Sequence, residues 1–416
     1  MRNLLLLRLP RSKFCFFCAT AATLIFLSAL TVLSGKRDVE SLFFRRGEDF
    51  FADTFNLYVF LDSKNIYTGD GAETEGHYGH GISRYFRNNP PMVFCHFDLL
   101  RKLSRAQNTP LFLAVYVSVL LSLLWFFLLY RNVRGSESQK LLFCGCILFS
   151  SVFIHALERG NIILLAALYV TFYLFAWNSE NPVQRELALL ALAMAAALKV
   201  YPAVLGLLPA FSRQWMRCGR LLIYGALFSF LPFLWFPGGF GLIPDLMFNV
   251  FSPQSVELPV CVLFDAWTPL LLKLRPDTAP ETLRHALHLA GVLFSAAACA
   301  AAYFDRKRWR QTSLLVLSLL LAPKIGAGYN YLYAVPCLVL FLNDPDQPRE
   351  ELWMAVLFAV ILSPLLFPLQ WFRSDLLFLK SLSLDLFVLL LLGASVRDSF
   401  RRHAAARRAS PSSAGV

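Results

Sequence analysis

Long apolar runs recur along the whole chain, and they limit its possible folds more than any other feature. A run of about 18 or more apolar residues can cross a bilayer as a helix, and soluble domains keep such runs shorter. Hydrophobic residues make up 57% of the 416 residues and charged residues only 16%, against ~25% charged residues in typical soluble domains. The sequence therefore predicts an all-α polytopic membrane protein and excludes a soluble cytosolic enzyme.

The N-terminal run ends at Leu33 and follows Arg2, Arg8, Arg11 and Lys13, a pattern typical of a cleaved signal peptide or an uncleaved signal anchor. No clean small-x-small cleavage site follows the run, which favours an anchor whose basic end is cytoplasmic. The later apolar stretches occupy residues 110–130, 141–157, 162–177, 187–211, 221–236, 287–304, 313–321, 331–342, 352–369 and 376–392. Together they predict about ten crossings plus a re-entrant helix pair, with both termini in the cytoplasm. The predicted organisation is a single membrane domain at 1–396, with a first extracytoplasmic loop and interfacial helix at 34–109, and a basic, disordered cytoplasmic tail at 397–416.

The net charge of +12 arises from short basic clusters between apolar stretches, where such residues set membrane orientation. This distribution predicts contact with membrane lipids and argues against a nucleic-acid partner. The sequence also lacks zinc-type Cys/His spacing, a phosphate-binding glycine loop and a dinucleotide fingerprint. We therefore predict neither a bound metal nor a cofactor.

Two interruptions of the apolar pattern indicate where a site lies. Residues 199–202 interrupt the stretch 187–211, and a straight crossing there would place the following arginines outside, so a re-entrant pair of half-helices fits better. The segments flanking Pro323–Tyr331 are also short, at about 18 Å of helix each. Irregular backbone at membrane depth is tolerated where it lines a cavity, so both interruptions are candidate site elements.

Asp49 and Asp53 lie four residues apart in the segment 43–61, which mixes aromatic and charged residues as an interfacial helix does. On one helix their carboxylates would share a face, and a partly desolvated carboxylate can act as a general base on a hydroxyl. We predict both as catalytic residues. The alternative is a solvated acid paired with Arg45 or Arg46.

Three cations are predicted to lie near one outer membrane surface: Arg159 in a tight turn, and Lys199 and Lys324 at the two interruptions. Such an arrangement can bind a lipid-linked phosphate. The alternatives are a local charge balance between Glu158 and Arg159, and a Lys199 side chain that snorkels to the interface. The residues predicted to bind the acceptor or the sugar are His77, His80, Asn161, Tyr201, Gln254, Tyr329 and Asn330. The two histidines have a second interpretation as ordinary solvated loop residues.

The order of several motifs resembles glycosyltransferase family 87, whose members are polytopic enzymes that use polyprenyl-phosphate sugars. The motifs are Asp49-Phe50-Phe51 through Asn65-Ile66-Tyr67, Pro90-Pro91, Gly160-Asn161, Lys199 with Pro202 followed by Arg213, Trp215 and Arg217, and the loop Pro323–Tyr331. The resemblance implies a GT-C-type membrane fold and a general-base aspartate in the first extracytoplasmic loop. Asp49 matches that aspartate, with Asp53 as its substitute.

The resemblance also implies that a hexose, above all mannose, passes from a polyprenyl-phosphate sugar to a lipid or glycan acceptor. The reaction would occur on the non-cytoplasmic face of the cell (inner) membrane. Two features depart from the family pattern: the segment between Tyr67 and Pro90 is long and rich in His and Gly, and Tyr329-Asn330-Tyr331 stands in place of an aromatic–histidine pair.

Two other functions compete with transfer. A multi-pass transporter or flippase of a lipid-linked or phosphorylated substrate would depend on charges within its helices and would tolerate loss of Asp49. A non-catalytic scaffold would tolerate neutralisation of any single charge.

Overall fold

The computed structural model of the chain is helical, and no strand occurs in its described part. The described residues are 10–33, 51–61, 63, 65–68, 87–104, 112–113, 115–251, 267, 271–277, 279–321, 328–345, 351–363 and 373–409. The α-helices are α1 (Arg11–Leu33), α2 (Ala52–Phe60), α3 (Pro91–Leu103), α4 (Ser122–Asn132), α5 (Glu137–Leu148), α6 (Ser151–Arg159), α7 (Ile163–Ala176), α8 (Pro182–Leu198), α9 (Leu207–Phe211), α10 (Trp215–Phe230), α11 (Ile243–Phe251), α12 (Pro280–Phe304), α13 (Arg308–Leu321), α14 (Ala334–Asn343), α15 (Leu352–Leu362) and α16 (Arg373–Ala409). A π-helical segment at Tyr116–Leu121 leads into α4, and 3-10 helices occupy Tyr201–Gly206, Leu231–Trp235, Gly239–Leu242 and Gly328–Tyr333.

Helix α7 lies at the centre of the fold, with most of its side chains buried. Helix α8 packs along it through a buried series of alanines that includes Ala188, Ala191 and Ala195, because small side chains let two helix backbones approach closely. The indole of Trp125 on α4 donates a 2.9 Å hydrogen bond to the Thr171 hydroxyl on α7. This bond satisfies two buried polar groups and joins α4 to the centre.

Helix α10 has an exposed apolar surface. None of its residues is buried, and Leu222, Ile223 and Leu227 are exposed, which in water would be an unfavourable apolar surface. Two helices in the described part are long and apolar enough to cross a bilayer, Trp215–Trp235 and Pro280–Phe304. The α5–α6 pair, bent by 56°, would make a third span. The chain is therefore a helical membrane protein.

The predicted interruption at residues 199–202 is observed, whereas residues 322–327 of the late loop lie outside the described residues, and the re-entrant arrangement stays a prediction. Helix α8 ends at Leu198 and a 3-10 helix begins at Tyr201, because Lys199 has extended backbone angles and Pro202 donates no backbone hydrogen bond. The helices flanking the late loop are short, with 14 residues in α13 and 10 in α14. The stretch 141–157, expected as one crossing, is divided between α5 and α6, which would together make one bent span.

Helix α2 is shorter than the predicted interfacial helix. It begins at Ala52, after Phe51 adopts a left-handed φ of 55°, and it buries Ala52, Thr54 and Leu57 where it packs near α3 and α6. The expectation that one helix carries both acids therefore does not hold for the described residues, because the helix that carries Asp53 starts after residue 51. Asp49 lies outside the described residues.

Helix α16 continues to Ala409, so the disorder predicted from Arg397 is wrong for residues 397–409. Contacts with α12 and α13 stabilise this part of the helix. The buried guanidinium of Arg310 on α13 bonds to the carboxylate of Asp398 at 2.5 Å. Arg402 donates a 2.7 Å hydrogen bond to the carbonyl of Phe304 at the end of α12.

Candidate functional site

The turn between α6 and α7 positions several residues of the site. Gly160 has a φ of 59°, its N–H bonds to the Leu157 carbonyl at 2.9 Å, and the Asn161 N–H bonds to the Ala156 carbonyl at 3.1 Å. This pattern is a Schellman motif, which requires a left-handed residue that glycine supplies without strain. The Asn161 side-chain oxygen then accepts a 2.8 Å bond from the Ile163 N–H, which caps the start of α7.

The start of α2 docks on this turn. The Phe51 N–H donates to the Glu158 carbonyl at 2.6 Å, and the buried Thr54 hydroxyl donates to the Gly160 carbonyl at 2.6 Å. A Cβ atom at Gly160 would lie 2.5 Å from side-chain atoms of both Phe51 and Thr54. The glycine therefore serves two purposes, since it permits the turn and leaves room for the chain that carries Asp53.

The carboxylate of Asp53 is held from two sides. One oxygen accepts a short bond from the Arg159 guanidinium, and the other accepts from the Asn161 amide at 2.5 Å. The side chains of Asp53 and Arg159 keep 19% and 22% of their surface exposed. Because a carboxylate offers about four acceptor positions, Asp53 can receive a further hydrogen bond from a molecule at its exposed side.

Two later segments bring additional polar groups to Asp53. Lys199, at the interruption after α8, interacts electrostatically with the carboxylate. Tyr329 interacts electrostatically with Asp53 and Arg159 and forms a hydrogen bond with the Asn161 side chain. Arg159 and Lys199 thus lie on the same carboxylate, and cations of this kind can also hold an anionic group of a ligand.

Further aromatic residues extend the site beyond Tyr329. Tyr201 and Tyr333 interact electrostatically with it. The Tyr333 side chain is buried, and its hydroxyl has no hydrogen-bond partner within the described part of the chain. A buried hydroxyl of this kind is ready to bond to a ligand or a water molecule.

His155 and Thr54 belong to the site although the sequence analysis does not select them. The His155 ring stacks on Tyr329 with centroids 5.5 Å apart, and its Nδ1 lies 3.8 Å from the buried carboxylate of Glu158. One sequence signal points to His155, namely its position four residues before Arg159 on α6. Thr54 has no such signal, because its partner lies in a distant turn.

The structure brings most of the described candidates together. Those around the Asp53 carboxylate or its neighbours are Arg159, Asn161, Lys199, Tyr201 and Tyr329. Asn330 is buried on the same 3-10 helix as Tyr329. The candidates outside the described residues are Asp49, His77, His80, Gln254 and Lys324. No group of three or more potential metal-ligating side chains occurs in the described ranges.

Comparison with known protein families identifies a match over more than half of the chain. The sequence model of glycosyltransferase family 87 matches residues 89–323, which include the α6–α7 turn and Lys199. No curated protein and no solved structure matches the chain.

Proposed function

The chain belongs to glycosyltransferase family 87, and from this premise we propose that it transfers a hexose, with mannose as the first sugar to test, from a polyprenyl-phosphate sugar to a lipid or glycan acceptor. The proposed fold is of the GT-C type, with about ten crossings and a re-entrant pair in a single domain at 1–396. The proposed active site faces the non-cytoplasmic side of the cell (inner) membrane, with both termini in the cytoplasm.

The observation that carries the proposal is the position of Asp53 between Arg159 and Asn161, beside the charge of Lys199. In the proposed reaction the free side of the Asp53 carboxylate accepts the proton of the acceptor hydroxyl. The acceptor oxygen bonds to the anomeric carbon while the bond from that carbon to the phosphate oxygen breaks. Polyprenyl phosphate then leaves with the electron pair. Asp49 is the alternative base.

The residues proposed to stabilise the leaving phosphate are assigned by their positive charge. Lys199, with Lys324 and Arg159, stabilises the departing phosphate, and such preorganised electrostatic stabilisation is usually the largest single contribution to catalysis. Polyprenyl phosphate is already a good leaving group, so no step of the proposal passes through a metal or cofactor. The proposed acceptor or sugar contacts are Asn161, Tyr201, Tyr329 and Asn330, together with His77, His80 and Gln254.

The test is transfer of radiolabelled sugar from synthetic polyprenyl-phosphate mannose, and then glucose or arabinose, to endogenous acceptors in membranes. Wild type, Asp53→Asn and Asp49→Asn are compared at matched expression. Asp277→Asn is the control, because it makes the same change at an exposed acid away from the site. We expect Asp53→Asn to lose about 10²–10⁴-fold in rate and the control to keep full activity.

The other outcomes separate the parts of the proposal. Loss in Asp49→Asn alone would move the base to Asp49. Full activity in both variants would overturn a carboxylate base in this loop. Absence of transfer from every donor, in membranes whose acceptors are replenished by lipid extract, would contradict the donor class and favour a transporter.

A further inference from the structure

A polar cleft lies at the opposite end of α7 from Asp53. Asn161 caps the start of α7, whereas Phe175, near its end, lines a cleft of about 570 Å³. The two positions are roughly 20 Å apart along the helix. The charged and hydrogen-bonding residues that line the cleft include Arg131, Arg134, Lys307, Arg308, Trp309 and Asp344.

The cleft is a built feature, because hydrogen bonds between distant segments hold its walls. The Asn343 side chain accepts from the Arg134 N–H at 2.9 Å and donates to the Asn132 carbonyl at 2.7 Å. Arg308 donates to the Leu174 carbonyl and lies 5.8 Å from the centre of the Trp177 ring. The ends of α4, α7 and α14 and the start of α13 are thereby joined around one space.

Part of the positive charge has a structural explanation. Cations are favourable at helix C-termini, and Arg308 serves the end of α7 in this way. Lys307 forms an ion pair with Glu351 at 3.1 Å. Arg131 lies in the last turn of α4, so the helix-end explanation also applies to it, whereas neither explanation covers Arg134. Both arginines are exposed. Their guanidinium groups make no hydrogen bond or ion pair to any side chain that the structure describes.

Trp309 supplies an independent observation. The residue is 2% exposed, it lines the cleft, and its indole N–H has no acceptor within the described ranges. A buried donor without an acceptor costs free energy. An acceptor that reached this N–H from the cleft would remove that cost, and four cations with one lining carboxylate favour an anionic acceptor.

We propose that this cleft binds a phosphate group, held by Arg131 and Arg134 with the Trp309 indole as a neutral donor. Arginine is suited to this ligand because its planar fork matches two phosphate oxygens at once. The phosphate could belong to an anionic phospholipid headgroup, since basic pockets between membrane helices bind such headgroups, or to a soluble phosphate compound. The inference is independent of the glycosyltransferase reaction, because none of these residues touches the Asp53 site.

The test uses the full chain in nanodiscs, with one arm for each source of phosphate. In the first arm, native mass spectrometry counts phosphatidylglycerol molecules retained from mixed phosphatidylcholine–phosphatidylglycerol nanodiscs. In the second arm, inorganic phosphate and pyrophosphate are titrated into phosphatidylcholine nanodiscs while thermal unfolding is followed. The variant Arg131→Gln/Arg134→Gln is compared with Arg306→Gln/Arg401→Gln, which removes the same charge from exposed arginines outside the cleft.

We expect wild type to bind in at least one arm, with affinity reduced about tenfold or more in the cleft variant and unchanged in the control. The arm that responds identifies the source. Equal reductions of affinity in the two double variants would overturn the proposal and would assign the binding to the overall positive charge. Absence of binding in both arms would also overturn it. Trp309→Phe keeps an aromatic ring and removes the N–H, so unchanged affinity in this variant would overturn the indole's assigned role.

Discussion

The Asn161 amide lies 2.5 Å from the carboxylate of Asp53, which is 108 positions away in sequence, and the oxygen of the same side chain caps α7. One residue therefore couples the start of the central helix to the candidate base. Any movement of the α6–α7 turn would displace both groups together.

This double role predicts different effects for two substitutions at Asn161. Asn161→Asp keeps a cap acceptor for the Ile163 N–H but removes the amide donor and places a second carboxylate against Asp53. We therefore expect a loss of transfer of about 10²-fold or more, and a lower stability from the repulsion between the two carboxylates. Asn161→Ala removes both contacts and should also lower stability by about 1 kcal/mol. Thermal unfolding and transfer assays on the same samples check this, and wild-type stability of Asn161→Ala would contradict the capping role.

Lys199 is predicted to act on the leaving phosphate. Lys199→Gln should lower kcat by about 10²–10³-fold, because a preorganised charge contributes most where charge develops in the transition state. Lys199→Arg should recover part of that loss. Lys273→Gln, at an exposed lysine, is the matched control. A rise in KM with unchanged kcat would instead assign Lys199 to ground-state binding.

Gly160 is predicted to tolerate no side chain. Gly160→Ala should destabilise the protein by more than the roughly 1–2 kcal/mol of a left-handed alanine, because the new Cβ also overlaps Phe51 and Thr54. Gly145→Ala is the matched control within α5, where a Cβ would meet nothing within 4 Å, and it should be neutral or stabilising. Thermal unfolding in detergent measures both, and equal behaviour of the two variants would refute the docking role of Gly160.

His96 on α3 is predicted to make stability depend on pH. Burial lowers its pKa to about 4, and its ring hydrogen bonds with the Tyr116 hydroxyl at 3.1 Å. The stabilising contribution of the neutral ring is fully present above the unfolded pKa of about 6.5 and is lost as the pH falls through the folded pKa, by roughly 3 kcal/mol. Unfolding measured between these pH values should lose this dependence in His96→Gln and keep it in His285→Gln, which changes an exposed histidine. The same pH dependence in both variants would assign the effect to other groups.

Local patterns in the sequence predict much of this protein. Apolar runs identify a helical membrane protein because a run of about 18 or more apolar residues can cross a bilayer as a helix. The interruption at Lys199 follows from backbone chemistry that the next few residues set, since Pro202 cannot donate a helical hydrogen bond. The Gly160-Asn161 turn is visible for the same reason, because a helix that ends and restarts within four residues requires a left-handed residue and a cap.

Contacts between distant segments required the tertiary structure. Periodicity placed Asp49 and Asp53 on one helix, whereas the left-handed Phe51 starts the helix later and the docking of α2 on the α6–α7 turn brings Asp53 to Arg159. His155 also stacks on Tyr329, and Arg131 and Arg308 line the same cleft at the far end of α7, although no local pattern links the members of either pair. Such pairs form because the packing of α7 against its neighbours fixes which side chains meet. The local pattern of hydrophobic residues does not predict those long-range contacts.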